Sequence, residues 1–203
     1  MKLRIWIRIF CTSAVVLTIA GLLGYISVSK LKRNAQLIVE DTLPGLSMAG
    51  EANAYLADAT RTLLVIVTED PAQRLKLRGE ITGLSQRTTG FLERYGGSIY
   101  SEDDRTNYEA LLKERQDYIQ IRDQILDLAI AGKKAEAMAA YETSMMPAHK
   151  RVKTAGDKLF EYNMRQGEAR GQNILGLCTL TQITVAALSV TVFLAGFFIG
   201  LFK

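Results

Sequence analysis

Residues 138–173 read MAAYETSMMPAHKRVKTAGDKLFEYNMRQGEARGQN, and their pattern decides the fold. One set of positions recurs here at alternating steps of three and four: Met138, Tyr141, Met145, Ala148, Val152, Ala155, Leu159, Tyr162, Gln166, Ala169 and Asn173. That spacing is typical of one helix face packed in a bundle. We therefore predict a single helix from Ala135 to Lys203, with a kink at Pro147.

The same predicted helix continues into a stretch without charge. From Gly171 to Phe202 no residue is charged and no proline interrupts the sequence. About 20 apolar residues are enough for a helix to cross the hydrocarbon core of a membrane. A water-exposed bundle helix is thus predicted to run directly into a transmembrane helix, residues 174–202.

A second uncharged stretch, Ile9 to Ser29, follows a basic N-terminus. A cleaved signal peptide also combines a basic start with an apolar core. However, this apolar run is too long for one, and no A-x-A-like cleavage site follows it. We predict an uncleaved anchor, with residues 1–8 as a cytoplasmic N-terminus and residues 9–29 as the first transmembrane helix.

The charges are unevenly distributed along the chain. All 21 acidic residues and 18 of the 25 Lys and Arg lie between Glu40 and Arg170, which leaves that stretch with a net charge of −3. Seven further charged residues lie at the ends of the apolar stretches: Lys2, Arg4, Arg8, Lys30, Lys32, Arg33 and Lys203. All seven are basic, as membrane-flanking residues often are. The positive net charge therefore indicates contact with a lipid bilayer, and no nucleic-acid partner is expected.

Between the two apolar stretches, residues 30–173 carry helix boundaries and no strand pattern. Asp70-Pro71 predicts an N-cap followed by proline at the first helical position, and Gly96-Gly97 is expected to end that helix. Ser101, with Asp104 three residues later, predicts the start of the third helix. The sequence therefore predicts an all-α fold: an antiparallel up-down-up-down four-helix bundle flanked by two transmembrane helices, both chain ends lying in the cytoplasm.

The first bundle helix is predicted to present one face to the core. Pro44 lies within this helix and predicts a kink or a helix restart near the membrane. The predicted inward positions are Ala35, Val39, Thr42, Leu46, Ala49, Asn53, Leu56, Thr60, Leu63 and Val67.

Several features stand in an order that is characteristic of one family. They are the basic anchor, Asp41-Thr42-Leu43-Pro44-Gly45-Leu46, Arg61, Gly132-Lys133-Lys134-Ala135-Glu136-Ala137, Met146-Pro147 and the closing apolar span. Together they resemble the N-terminal half of a bacterial methyl-accepting chemotaxis receptor of the four-helix-bundle sensor type. The resemblance implies a homodimeric, multi-pass protein of the bacterial inner membrane. Its periplasmic sensor domain would detect a ligand or partner and signal across the membrane.

The resemblance leaves the output of that signal open. The family continues into a HAMP linker and a methylated cytoplasmic coiled coil, for which residues 1–203 have no counterpart, so we expect only the sensing and membrane-spanning part here. The same sensor could precede a histidine kinase or a cyclase. A stand-alone membrane protein that partners full receptors is a further alternative.

Residues able to carry catalysis are not found in a catalytic arrangement. His149 is the single histidine. No Cys/His cluster has metal-binding spacing, and neither G-x-S-x-G nor a glycine-rich phosphate loop occurs. We therefore expect no enzymatic activity, no catalytic residue, no metal and no cofactor.

Arginines in an apolar helix face break the regular pattern. Arg115 and Arg122 fall in the middle of the apolar arc of the third helix, which favours a site for a small anionic ligand such as a carboxylate. The residues that define this arc, and that we expect to face inward, are Leu111, Leu112, Tyr118, Ile119, Ile125 and Leu126. In the alternative interpretation, the aliphatic stems of the arginines cover the core while their guanidinium groups pair with Glu80 or Glu142. A periplasmic binding protein is another candidate partner. The candidate ligand-binding residues are Arg61, Arg115, Arg122, Lys150 and Arg151.

Small residues recur in both predicted spans. Ala20-x-x-x-Gly24 lies in the first and Gly196-x-x-x-Gly200 in the second. This spacing allows two helices to approach closely in lipid. We expect these four positions to contribute to helix packing in the membrane.

Overall fold

A computed structural model describes the backbone of residues 2–201 and the side chains of residues 12–47, 55, 57–194 and 196–197. Throughout the described backbone there is no strand, and the predicted all-α four-helix bundle is confirmed. The helices are α1 Lys2–Leu37, α2 Leu43–Val67, α3 Pro71–Ser98, α4 Glu102–Ile130, α5 Lys134–Ala140 and α6 Met146–Leu201.

Two π-helical turns interrupt this series, each just before a proline. Ile38–Thr42 separates α1 from α2 and precedes Pro44, and Tyr141–Met145 separates α5 from α6 and precedes Pro147. Proline has no N–H, so the carbonyl four residues earlier loses its helical partner, and that carbonyl lies inside the π turn in both cases. The predicted interruptions at both prolines are confirmed. Apart from the π turn, the chain is helical without a gap from Lys134 to Leu201, in agreement with the predicted single helix.

Local capping sets the starts of α3 and α4 as predicted. The Asp70 side chain accepts a hydrogen bond from the backbone N–H of Ala72 at 2.9 Å. Ser101 Oγ accepts one from the backbone N–H of Asp104 at 3.1 Å. Both bonds satisfy a backbone donor that the first helical turn leaves free. The turn after α4 contains Gly132 with a φ of 77°, a conformation that glycine adopts without steric cost.

The end of α3 differs from the prediction. The helix continues through Gly96-Gly97 and ends at Ser98. The Tyr108 hydroxyl lies against Gly96, where an added Cβ would be only 2.6 Å from that oxygen, and it donates a hydrogen bond to the Leu92 carbonyl at 3.0 Å. Gly96 therefore permits close packing of α4 on α3, and does not terminate the helix.

The chain divides into two compact units. Residues 39–167 form the bundle unit, in which α2 packs on α3, α4 and α5, and α4 packs on α3 and α5. Its core contains nineteen described buried apolar residues, of which the largest fully buried include Tyr95, Tyr118, Ile66, Leu111 and Leu159. The inward face predicted for α4 is confirmed, because Leu111, Tyr118 and Ile125 are all fully buried.

The inward face predicted for the first bundle helix is confirmed at Thr42, which is buried, but is displaced by one residue farther along the helix. Thr60 and Val67 are exposed, whereas the preceding residues Ala59 and Ile66 are buried. Asp58, also buried, belongs to the same face. The buried face thus contains polar as well as apolar side chains, and the polar ones have partners within the protein, such as Arg122 for Asp58. Ala49, Asn53 and Leu56 have side chains outside the described residues.

Residues 1–38 and 168–203 form the second unit. Its helices are long and apolar enough to cross a membrane, and their most apolar windows, within Thr12–Ser47 and Lys134–Leu194, are almost entirely unburied. Within this unit Arg170 Nη1 donates a hydrogen bond to the Leu37 carbonyl at 3.0 Å. The boundaries predicted at residues 30 and 173 stay predictions, and Phe202 lies outside the described residues.

The small residues of the two apolar helices have open space around them. A Cβ added at Gly24 or Gly196 would meet no atom within 4 Å, and Ala20 is half-buried. The surroundings of Gly200 lie outside the described part of the chain. The role of these positions in helix packing stays a prediction.

Candidate functional site

Arg122 lies inside the bundle and is held by two carboxylates. Its Nη1 donates to Asp58 Oδ2 of α2 at 2.9 Å, and its Nη2 and Nε donate to Asp123 Oδ1 at 2.8 and 3.0 Å. The side chains of Arg122 and Asp58 are only 5% and 8% exposed. Because Arg122 and Asp58 are both buried and bound to each other, they form, together with Asp123, a polar connection between α2 and α4, hereafter the Arg122 cluster.

Burial and charge act in opposite directions on this pair. Burial raises the pKa of Asp58 and outweighs the opposing effect of Arg122. Burial lowers the pKa of Arg122, but the carboxylates of Asp58 and Asp123 overcome that effect and the pKa is raised. Ionised Asp58 therefore depends on Arg122 for its stability inside the protein.

Arg115 points to α3. Its Nη2 donates to the Ser85 carbonyl at 2.9 Å and to Thr89 Oγ1 at 2.7 Å. The cavity beside it, partly lined by Asp58 and Arg122, measures about 10 Å³, which is room for at most one water molecule. The structure thus confirms that Arg115 and Arg122 face inward, and both are occupied by protein partners.

Arg61 lies at the surface of the bundle. Its Nε donates to Glu80 Oε2 of α3 at 3.4 Å, and both side chains are partly exposed. This is the pairing that the alternative interpretation predicted for Glu80. An exposed ion pair of this kind contributes little to stability. The contact partners of Arg61 therefore differ from those of Arg115 and Arg122.

Lys150 and Arg151 lie on the other side of the bundle unit, in a groove between α4 and α6. Arg151 Nε donates to Glu114 Oε2 of α4 at 2.8 Å. The groove, hereafter the basic groove, has a volume of about 340 Å³ and is lined by Asn107, Ala110, Glu114, Lys150, Arg151, Thr154, Ala155 and Lys158. The five predicted ligand residues are therefore divided among three places, of which the groove at Lys150 and Arg151 is open and wide enough for a small molecule.

His149 lies between the core and the surface beside Tyr118, with ring centroids 6.2 Å apart. Burial lowers the pKa of His149, and the charge of Lys153 lowers it further, while Asp58 opposes both. The folded state therefore favours the neutral imidazole more than the unfolded chain does.

We predict that the contribution of His149 to the free energy of unfolding falls as the pH decreases from about 7.5 to about 5.5. The unfolded chain binds a proton at His149 near pH 6.5, while the folded chain binds it only at lower pH, so protonation favours unfolding in this interval. Asp58 has the opposite effect, because its raised pKa makes the folded state bind a proton more readily. Since the sequence has one histidine, comparing His149→Gln with the parent protein by denaturant unfolding isolates the histidine contribution. If the free energy of unfolding depends on pH equally in His149→Gln and in the parent protein, the prediction is wrong.

A second buried polar cluster escaped the sequence analysis. Asn163 of α6 is fully buried, and its Nδ2 donates to the Tyr95 hydroxyl at 2.7 Å and to Asp104 Oδ1 at 3.3 Å. The Tyr95 hydroxyl in turn donates to Asp104 Oδ1 at 2.6 Å. Burial and the hydrogen bond to Asp104 raise the pKa of Tyr95, so it stays protonated as the donor. These three residues, the Asn163 cluster, connect α3, α4 and α6.

The first bundle helix reaches this cluster through a glycine. A Cβ at Gly45 of α2 would overlap the Asn163 side chain. In the reverse direction, a Cβ at Gly167 of α6 would lie 2.7 Å from Thr42 Cγ2. Two glycines on facing helices thus allow close contact where the chain enters and leaves the bundle unit.

The sequence carried one signal for Asn163. It follows Leu159 by four residues, a spacing that fits the inward face, but the spacing of three also fits, and it predicts the aromatic Tyr162 as the inward residue. In the structure Tyr162 is half-buried and its hydroxyl lies 2.6 Å from Ser101 Oγ. The sequence contains no comparable indication that Asp58 is buried, because the apolar residues near it predict an inward helix face that does not include it.

Comparison with known proteins gives a single family. The sequence model of a family described as "four helix bundle sensory module for signal transduction" matches residues 2–175. No curated protein matches the chain at a significant level. The matched range includes all of α1 to α5 and the part of α6 that contributes to the bundle unit.

Proposed function

Since the chain belongs to the four-helix-bundle sensory modules of methyl-accepting chemotaxis proteins, we propose that it is the sensor of a transmembrane chemoreceptor. It detects a ligand or partner protein outside the cytoplasm and transmits the signal across the bacterial inner membrane. The sensor domain lies in the periplasm, both chain ends lie in the cytoplasm, and the working form is a homodimer. The family is one of sensory signal transduction and not of enzymes.

The observation that carries this proposal is the composition of α6. Its first half supplies Ala148, Val152 and Leu159 to the buried core of the bundle unit. Its second half, from Gly171 onward, has no charged residue and is long and apolar enough to span a membrane. One helix, Met146–Leu201, thus contains residues of the bundle core and a stretch apolar enough to span a membrane, which supports transmission of a signal along it.

The Arg122 and Asn163 clusters supply a means of holding distinct arrangements of the bundle. Buried polar networks have few alternative partners, so a change in helix packing must exchange whole sets of hydrogen bonds. A ligand that favours one such arrangement shifts the population toward it. The shift then reaches the cytoplasmic end of α6 through the helix backbone.

The experiment that tests this function joins residues 1–203 to the HAMP and cytoplasmic signalling region of a characterised chemoreceptor. We expect Arg122→Met, which perturbs the bundle, to change receptor-coupled kinase activity at least twofold in cells. The matched control carries the same substitution plus four glycines inserted after Glu168, which break helical continuity and should abolish the effect. Equal kinase activity with and without Arg122→Met, at equal membrane abundance, would disprove signal transmission.

A further inference from the structure

We propose that the basic groove binds a small oxyanion with two or more negative charges, a di- or tricarboxylate or a phosphate, and that the anion replaces Glu114 as the partner of Arg151. This inference rests on the proposed sensory function, for which it names the ligand class and the site. The sequence-predicted residues Lys150 and Arg151 belong to this groove, while Lys158, Thr154 and Asn107 are new.

The shape of the groove is set by residue spacing on two helices. Lys150, Thr154 and Lys158 follow one another at steps of four along α6 and therefore lie on one side of it. Ala110 of α4 and Ala155 of α6 have small side chains, which leave space between the longer ones. The resulting volume of about 340 Å³ lies in the range of small-molecule sites.

The charges of the groove favour an anion. Three basic side chains and one carboxylate line it, and that carboxylate, Glu114, is held by Arg151 at 2.8 Å. The nearby Asp157 is held by Lys153 at 2.6 Å, on the adjacent side of α6. Among the described side chains, neither Lys150 nor Lys158 has an ion pair. The groove thus has a local charge of about +2 available to a ligand.

The uncharged polar groups that line the groove also favour an anion. The Asn107 amide and the Thr154 hydroxyl can both donate hydrogen bonds to an oxygen atom. A planar guanidinium such as that of Arg151 binds carboxylate or phosphate through two parallel hydrogen bonds. Carboxylates and phosphates share this chemistry, so the probes include both.

When the anion replaces Glu114 as the partner of Arg151, ligand binding changes the contact between α4 and α6. All three cations lie on α6, whereas Asn107 and Glu114 lie on α4, so a bound anion replaces a direct contact between the helices by one through the ligand. Glu114 competes with the anion for Arg151 and repels it. Removing the negative charge of Glu114 must therefore strengthen binding, which is the opposite of what loss of a ligand-binding residue does.

The test measures binding of citrate, succinate and inorganic phosphate to the full chain in nonionic detergent micelles by titration calorimetry at low ionic strength. We expect Lys150→Gln and Lys158→Gln each to weaken binding of the preferred anion roughly three- to tenfold, and Glu114→Gln to strengthen it by a similar factor. Lys153→Gln removes an equal charge from the adjacent, ion-paired position. It should change the affinity less than twofold.

Three outcomes would overturn the assignment. They are binding of none of the three anions, an equal loss in Lys153→Gln and Lys158→Gln, and weaker binding in Glu114→Gln. The preferred anion among the probes identifies carboxylate or phosphate as the ligand chemistry. Failure here leaves the effect of Arg122→Met on kinase output intact, whereas failure of the sensory function leaves anion binding intact, so the two failures are distinguishable.

Discussion

Replacing Arg122 with methionine is expected to lower the free energy of unfolding by about 3–5 kcal/mol at neutral pH. Methionine fills much of the same volume, but it leaves Asp58 as a buried carboxylate without its cation. The side chain of Asp58 is only 8% exposed, so water does not replace the lost partner. Burial already raises the pKa of Asp58, and the loss should become smaller as the pH falls and this carboxyl protonates.

The control for this prediction removes both charges. In Asp58→Leu/Arg122→Met no ion is left in the core, and most of the lost stability should return, because replacing a buried ion pair by apolar groups is often neutral. Denaturant unfolding of the full chain in detergent micelles, followed by circular dichroism, measures all three proteins. If the double variant is as unstable as Arg122→Met, loss of packing and not an unpaired charge causes the effect.

The second prediction concerns the contact between α2 and α6. Gly45→Ala should lower the free energy of unfolding by about 1–3 kcal/mol, because the new methyl group overlaps the Asn163 side chain and either α2 or the Asn163 cluster must move. An ordinary glycine-to-alanine change in a helix is stabilising, so the expected sign is reversed by tertiary packing alone.

Gly156 supplies the matched control. It lies in α6, the helix that carries Asn163, and a Cβ added there meets no atom within 4 Å. Gly156→Ala should therefore stabilise the protein by about 0.4–1 kcal/mol. In an Asn163→Ala background the cost of Gly45→Ala should largely vanish, since the obstructing side chain is gone. Additive effects of Gly45→Ala and Asn163→Ala would show that the glycine acts at some other contact.

These two sites have different consequences for signalling. The Arg122 cluster connects α2 and α4 through charge, whereas the Asn163 cluster connects α3, α4 and α6 through neutral groups and one carboxylate. The basic groove lies between α4 and α6. The Asn163 cluster also contains one residue from each of these helices, Asp104 from α4 and Asn163 from α6. An anion in the groove is therefore expected to act on the same helix pair that the Asn163 cluster holds together.

The sequence by itself determined the features that depend on neighbouring residues. Asp70 and Ser101 start helices through bonds to backbone groups two and three residues away. Apolar spacing predicts the inward face of α4 and the buried α6 residues Ala148, Val152, Ala155 and Leu159, and the absence of charge predicts the two apolar stretches. Pro44 and Pro147 predicted interruptions because a missing N–H is a local property. The resemblance to chemotaxis receptors indicated a sensory protein, and the family match confirms this.

Only the tertiary structure decided which polar residues are buried and where the candidate ligand residues lie. Asp58 meets Arg122 across 64 residues, and Asn163 meets Tyr95 across 68, so no local pattern reports either partner. Burial of a polar side chain is favourable only when such a distant partner satisfies it, so hydrophobicity alone does not predict that Asp58 and Asn163 are buried. The same reason separates the five candidate ligand residues. Arg115 and Arg122 found partners inside the bundle, while Lys150 and Arg151 remain at an open groove.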